Sequence, residues 1–131
     1  MRENFSGNSP YEPVVGFSRA VKVGNNVYVS GTVGRGPDGK VVFGGVYDQA
    51  KQAIANIAAA LEQAGASLSD VVRTRIYLVD IDEQDELARA HREAFGDIRP
   101  ASTMVEVAAL ATPEMLVEIE ADAVIGANPS P

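Results

Sequence analysis

The chain has no cysteine and no tryptophan, a single histidine, and only 6% aromatic residues among its 131. Without cysteine there are no disulfides, no thiolate metal sites and no cysteine nucleophile, which fits a reducing compartment. With one histidine, His91, neither a serine or cysteine triad nor a multi-histidine metal centre can be assembled within one subunit. Positive charge is also short. There are 11 basic against 18 acidic side chains, a net charge of −7, which disfavours sequence-independent attraction to nucleic acid or to an anionic membrane. No stretch approaches the roughly 18 unbroken apolar residues that span a bilayer, and the polar amino-terminal MRENFSGNSPYEP lacks the apolar run of a signal peptide. The expectation is a cytoplasmic protein with neither a membrane nor a nucleic-acid partner.

What is present is ordinary for one globular domain: 46% hydrophobic and 22% charged residues over a length that buries a core without staples. We read 1–131 as a single domain, with an irregular lead-in over 1–15 and a short tail over 126–131. Ala20–Val23 and Val27–Ser30 flank Gly24-Asn25-Asn26 and predict a hairpin. Pro37-Asp38-Gly39 marks a second, looser hairpin or exposed loop. After Gly44-Gly45 the three- and four-residue spacing of Ala50, Ala53, Ile54, Ile57, Ala58, Leu61 and Ala64 predicts a long helix stopped by Gly65. Asp70–Val79 reads as the central strand, with Val72, Thr74, Ile76 and Leu78 on one face and Val71, Arg73, Arg75, Tyr77 and Val79 on the other. Asp82 is the expected N-cap of a second helix that ends at Gly96 and carries His91 in its apolar stripe.

The segment Ile98–Val124 then reads as two adjacent strands. In the second, Val117, Ile119, Ala121 and Ala123 alternate with Glu118, Glu120 and Asp122, a half-buried pattern with three carboxylates on one side. In the first, Ser102, Met104 and Glu106 share a parity and are expected to add Glu106 and Met104 to that charged face. Strand–helix–strand units alongside hairpins give a two-layer α+β domain, a mixed sheet with two helices on one face. The opposite face, with Arg73, Arg75, Glu118 and Glu120 among apolar side chains, is expected to be buried against sister subunits.

Gly34-Arg35-Gly36-Pro37-Asp38-Gly39-Lys40 satisfies both GxGxxG and GxxxxGK. A phosphate loop needs a helix opening at its last glycine, and here Val41-Val42-Phe43 and two glycines follow, so a plain turn is favoured. His91 reads as a hydrogen-bonded core or interface histidine before an acid or base. The acids near Glu118 pair with Arg73 and Arg75 more readily than with a hard cation, and no metal or cofactor is expected. Glu118 itself admits two readings: a structural salt bridge, or a carboxylate in a partly dry cleft that positions or deprotonates water.

RPASTMVEVAAL and LVEIEADAV, with Val27-Tyr28-Val29-Ser30-Gly31, Glu62-Gln63-Ala64-Gly65-Ala66 and Glu93-Ala94-Phe95, resemble the Rid family of reactive intermediate deaminases, once grouped as YjgF or endoribonuclease L-PSP. The similarity runs from about Gly16 to Val124. It implies a chorismate-mutase-like fold, a homotrimer with a central barrel, ligand clefts between subunits, and cofactor-free hydrolysis of 2-imino acids to 2-keto acids and ammonia. It also implies that Glu118 handles the attacking water and that Gly31 borders the cleft. The family's carboxylate-clamping arginine falls on Ser102 and its cysteine on Met104; its tyrosine falls near Ser18, beside Phe17, and its helix asparagine on Arg89. A lost bidentate clamp leaves two routes: Arg75, Arg89 or Arg35 supplies the anion site, or Ser102 and Thr103 bind a neutral group. The resemblance therefore implies a subgroup without the catalytic arginine, acting on an imine, enamine or related C–N bond of a small metabolite. The alternative is a non-catalytic metabolite-binding or regulatory trimer, and a ribonuclease fits least.

Overall fold

Alternation decides the architecture. In the computed structural model, which describes residues 1–127, Val117, Ile119 and Ala121 are wholly buried and Ala123 nearly so, while the acidic parity between them stays half-buried. The strands in chain order are β1 (Arg2–Phe5), β2 (Ala20–Val23), β3 (Asn26–Thr32), β4 (Val71–Leu78), β5 (Ala101–Glu106) and β6 (Val117–Val124). Helices α1 (Val46–Gln63) and α2 (Gln84–Phe95) connect β3 to β4 and β4 to β5. The sheet order is β1-β2-β3-β6-β4-β5, with β6 antiparallel to both neighbours and β4 parallel to β5. Both helices cover one face of this mixed sheet, as expected. Their buried Ile57, Leu61, Leu87 and Phe95 meet Ile76, Leu78 and Ile119 from the strands, and each such side chain stabilises the fold by about 1.5–3 kcal/mol.

Several expectations are corrected. Residues 1–15 are not irregular: Arg2–Phe5 pairs antiparallel with β2, and Glu12–Gly16 forms a π-helical turn. The strands over Ile98–Val124 are not adjacent, because the α2 crossover sets β5 parallel on the outer side of β4, leaving β4 between them. A bulge between Val71 and Arg73 reverses the parity at the start of β4, so Val71 is buried and Val72 is exposed. The register of β5 on β4 sets Met104 beside Ile76 and Glu106 beside Leu78, which puts both on the helix-bearing face. There Glu106 Oε1 accepts the Ile81 N–H at 3.0 Å. Asp82 is not a cap; Asp80 accepts the Asp82 N–H at 3.0 Å and starts a 3₁₀ turn that runs into α2. The first helix does begin directly after Gly44-Gly45, at Val46. The tail falls, from Asn128 onward, outside the described residues.

The stop of α1 is as read. Gly65 has φ +82°, its N–H reaches Glu62 O at 3.1 Å, and the Ala66 N–H reaches Leu61 O at 2.8 Å, the paired bonds of a Schellman motif. A side chain in that left-handed conformation costs about 1–2 kcal/mol. Gly65→Ala is accordingly expected to lower stability by that amount, read as a reduced urea midpoint with an unchanged m-value; an unchanged midpoint contradicts it.

Candidate active site

The site is built where β3 and β6 fall out of step. Their register shifts between Val29 and Thr32, and the irregularity carries Gly31 beneath the side chain of Glu118. A Cβ on Gly31 would overlap Glu118 Oε2, so only glycine lets the carboxylate lie against the backbone there. Burial raises the Glu118 pKa above its ordinary value; the neighbouring Glu120 adds to the rise, and Arg19 opposes it.

Arg19, at the entry to β2, is the second charged member. Although only 8% exposed, it donates from Nη1 to Gly31 O and to Thr32 Oγ1, both at 2.8 Å. Thr32 Oγ1 in turn donates to Ser30 O at 2.7 Å, so the guanidinium clamps the irregular stretch that holds Gly31. Burial pushes the Arg19 pKa down, Glu12 and Glu118 oppose that, and Arg35 reinforces it. The group nonetheless stays charged. Its Cζ lies 5.5 Å from the centre of the Phe17 ring, and Arg35 Cζ lies 5.6 Å from that of Tyr11. Together Phe17, Arg19, Gly31, Arg35, Met115 and Glu118 line a cleft of about 410 Å³, a size suited to a small metabolite. The buried Gln49 amide holds the loop bearing Met115, donating to Glu114 O and accepting from Leu116 N, each at 2.9 Å.

A second groove lies on the helix side, between α2 and β5. Ser102 and Met104 line it with His91, Arg92 and Arg99. Thr74 Oγ1 lies 2.8 Å from Ser102 Oγ and 2.9 Å from His91 Nε2. A hydroxyl has one proton to give, so Thr74 donates to one of these two neighbours and accepts from the other, the His91 tautomer deciding which. Burial lowers the His91 pKa, and the ring packs 4.7 Å from that of Phe95.

The residues singled out in the sequence therefore divide. Phe17, Gly31 and Glu118 meet in the cleft, and Arg35 joins them. Ser102 and Met104 share the groove on the other side of the sheet. Arg75 lies on the open sheet face between Asp122 at 3.2 Å and Glu120 at 3.6 Å, with Thr103 beside it in register. Arg89 stacks 3.5 Å over the Tyr47 ring, away from both. Ser18 is turned to Asn4, whose Nδ2 donates to its Oγ at 2.9 Å. Sequence reasoning missed Arg19 altogether. Its burial depends on Gly7, where a Cβ would stand 2.9 Å from Arg19 Cγ, and on Glu12, both in the segment read as irregular. The glycines from Gly34 to Gly39 make a turn: Gly36 N donates to Lys40 O, Gly39 N to Gly36 O, and no helix opens before Val46. Among the described residues no three His, Asp or Glu side chains converge as for a metal. No helix is long and apolar enough to cross a membrane.

Fold and cleft define a class, a small α+β protein whose half-buried carboxylate faces a glycine in a cleft carrying two arginines. The family model for Endoribonuclease L-PSP matches residues 7–125. A RutC family protein of Pyrococcus abyssi is 40% identical over 118 residues, 89% of this chain and 91% of the relative. The human 2-iminobutanoate/2-iminopropanoate deaminase is 37% identical over 111 residues, 84% of this chain and 80% of its own. Of solved structures, Rv2704 from Mycobacterium tuberculosis, a member of the YjgF/YER057c/UK114 family, is 48% identical with a TM-score of 0.87, covering 95% of this chain and 100% of that one. RidA from an Antarctic Psychrobacter is 36% identical with a TM-score of 0.82, covering 94% and 99%. The chain belongs to the Endoribonuclease L-PSP family, the YjgF or Rid proteins.

The raised pKa of Glu118 makes a prediction about stability. A carboxyl whose native pKa exceeds its unfolded value binds more protons when folded. Its contribution to stability is complete below the ordinary carboxylate range and is lost as pH rises through the raised native value. Glu118→Gln removes that loss. The variant is expected to melt above the native protein at pH 7 and to converge with it as pH falls toward the ordinary range; a gap independent of pH contradicts the burial argument.

Proposed function

We propose that this protein is a Rid-type hydrolase of an imine, enamine or related C–N bond in a small metabolite, with Glu118 as the group that handles water. The observation carrying this reading is the half-buried Glu118 carboxylate held over Gly31 in a metabolite-sized cleft. Burial brings its proton affinity nearer neutrality, where one group takes and returns a proton most effectively. In the reaction, Glu118 accepts a proton from water as the oxygen bonds to the imine carbon and passes it to the nitrogen, giving the carbinolamine. It then takes the carbinolamine hydroxyl proton and delivers it to the nitrogen as the C–N bond breaks, so that ammonia leaves, the carbonyl forms and the carboxylate is restored. The human relative's name, 2-iminobutanoate/2-iminopropanoate deaminase, supplies the first substrates to try.

The reading includes assembly as a homotrimer with clefts between subunits. Glu118 and Ser102 lie on opposite faces of the sheet, so one ligand meets both only if another copy brings the second wall. The outer edge of β5 has no strand partner within the described chain. Tyr28, Val72 and Val105 are exposed on β3, β4 and β5, apolar area of the kind that marks association.

The test is keto-acid release from freshly generated 2-iminopropanoate and 2-iminobutanoate, alongside sedimentation for the three-chain mass. Native turnover is expected to fall by about 10²-fold or more in Glu118→Gln, the low end of what general acid–base catalysis contributes. An inert native protein that still binds keto acids makes the trimer a metabolite-binding one instead, and a monomer by sedimentation removes the shared cleft.

A further inference from the structure

Pairing between β3 and β6 is interrupted directly beneath Glu118. Val29 faces Ala121 and Thr32 faces Ile119, so two residues of β3, Ser30 and Gly31, stand opposite the single residue Glu120 of β6. A bulge of this kind disrupts the ladder locally, and its backbone groups take partners elsewhere. Arg19 supplies them. Its carbonyl accepts the Ser30 N–H at 3.0 Å, and its Nη1 donates to Gly31 O and to Thr32 Oγ1, each at 2.8 Å. Thr32 Oγ1 closes the set by donating to Ser30 O at 2.7 Å. All three residues of the irregular stretch are tied to Arg19 and, through Thr32, to one another. Arg19 is itself wedged in place. Gly7 leaves room for its stem, Glu12 Oε2 stands 3.9 Å from Nε, and Cζ lies 5.5 Å from the centre of the Phe17 ring. A guanidinium keeps its charge where burial disfavours it, so this arrangement also brings a permanent cation beneath the carboxylate.

Resting on the reading of Glu118 as the group that handles water, we propose that Arg19 is a positioning residue of this reaction: through its bonds to Gly31 and Thr32 it fixes the bulge against which the Glu118 carboxylate lies, and so fixes where that carboxylate meets water. It acts on Glu118 and not on the substrate. The contact is close enough to transmit a displacement, because even a Cβ on Gly31 would overlap Glu118 Oε2. A bulge free to shift would leave the carboxylate without its support, and a misplacement of about 1 Å costs a reaction up to about 10²-fold in rate. Charge adds to geometry. Glu120 on the same strand and Tyr77, in register on β4, stand beside Glu118; Arg35 lines the cleft, and Glu12 stands behind Arg19. Of these groups Arg19 is the cation that favours the ionised carboxylate, against burial and against Glu120. One side chain thus orients the base and keeps it ready to accept a proton.

The experiment measures hydrolysis of 2-iminobutanoate against pH in the full-length native protein, Arg19→Gln and Arg19→Lys, each variant first matched to the native circular dichroism spectrum. In the same samples the Glu118 side-chain carboxyl is followed by carbon NMR. Arg19→Gln is expected to lower kcat by about 10-fold or more while KM changes by less than about 2-fold. The acid limb of its kcat profile is expected to move to higher pH, because Glu118 without its cation holds its proton further up the scale, and the Glu118 carboxyl resonance to titrate higher in step. A purely structural Arg19 lowers the melting temperature and leaves limb and resonance where they are, and that result overturns the proposal. Arg19→Lys keeps the charge on a shorter side chain without the fork, and it stands in should Arg19→Gln fail to fold. It is expected to keep the native limb and titration while kcat stays about 3-fold or more below native; a native kcat in this variant overturns the positioning role. The carboxyl resonance needs no turnover, so the two readings fail separately. In a protein inert toward imines, a Glu118 titration that moves in Arg19→Gln upholds the coupling of Arg19 to Glu118 and removes the hydrolase reading. Turnover lost in Glu118→Gln but untouched in Arg19→Gln upholds the hydrolase reading and overturns this one.

Discussion

Strand β6 runs between β3 and β4, antiparallel to both, so each of its side chains belongs wholly to one face of the sheet. Val117, Ile119, Ala121 and Ala123 have no water on their side, which leaves Glu118, Glu120 and Asp122 no choice of direction. A slip of one residue would reverse every one of these assignments, burying three carboxylates under α1. That penalty fixes the register, and the register fixes where Glu118 meets the sheet. The chemistry of the cleft is thus inherited from a packing constraint. Glu118 differs from Glu120 and Asp122 only in what it meets. The latter two meet Arg75 on the open face, whereas Glu118 meets an irregular β3 whose residue has no Cβ.

The charges around the cleft are arranged so that none is left wholly uncompensated. Arg19 and Arg35 face Glu12 and Glu118, and each member changes what its neighbours can hold. Burial works against ionisation of both Glu118 and Arg19, while their mutual attraction favours it. Glu12, which also accepts the Gly7 N–H, stands 3.9 Å from Arg19 Nε and opposes the fall in its pKa. The amino-terminal segment therefore shapes the electrostatics of a site whose acid lies a hundred residues further along the chain.

Much of this was legible from periodicity alone. The alternation of Val117–Val124, the spacing of Ala50, Ile54, Ile57 and Leu61, and Gly65 as a stop carried the sheet, the helix and the side of β6 on which Glu118 stands. Parity failed where the backbone stopped alternating: a bulge at the start of β4 exchanged Val71 for Val72. For β5 the periodicity was right and the assignment of faces wrong, since Ser102, Met104 and Glu106 share a parity that only the pairing with Thr74, Ile76 and Leu78 orients. Arg19 was illegible for a different reason. A buried arginine is recognisable only through what encloses it, and Gly7 and Glu12 belong to a polar, proline-containing stretch with no period of two or of 3.6 to announce a fold. Short edge strands and π-helical turns are held by neighbours more than by propensity, so they leave little mark on the sequence.

Ser102 ties β5 to α2 in a way that its exposure conceals. Its hydroxyl bonds to that of Thr74, whose own oxygen is shared with His91, so one short side chain completes a chain of hydrogen bonds running from β5 across β4 to α2. Thr74 is fully buried, and its proton has to be accepted by something. Either neighbour can take that proton, Ser102 Oγ at 2.8 Å or His91 Nε2 at 2.9 Å, with the other donating to Thr74. Seen this way, Ser102 is integrated into the packing of α2 on the sheet. Substituting at Ser102 without altering Thr74 would change two things at once, the charge of the groove and the hydrogen bonding beneath it.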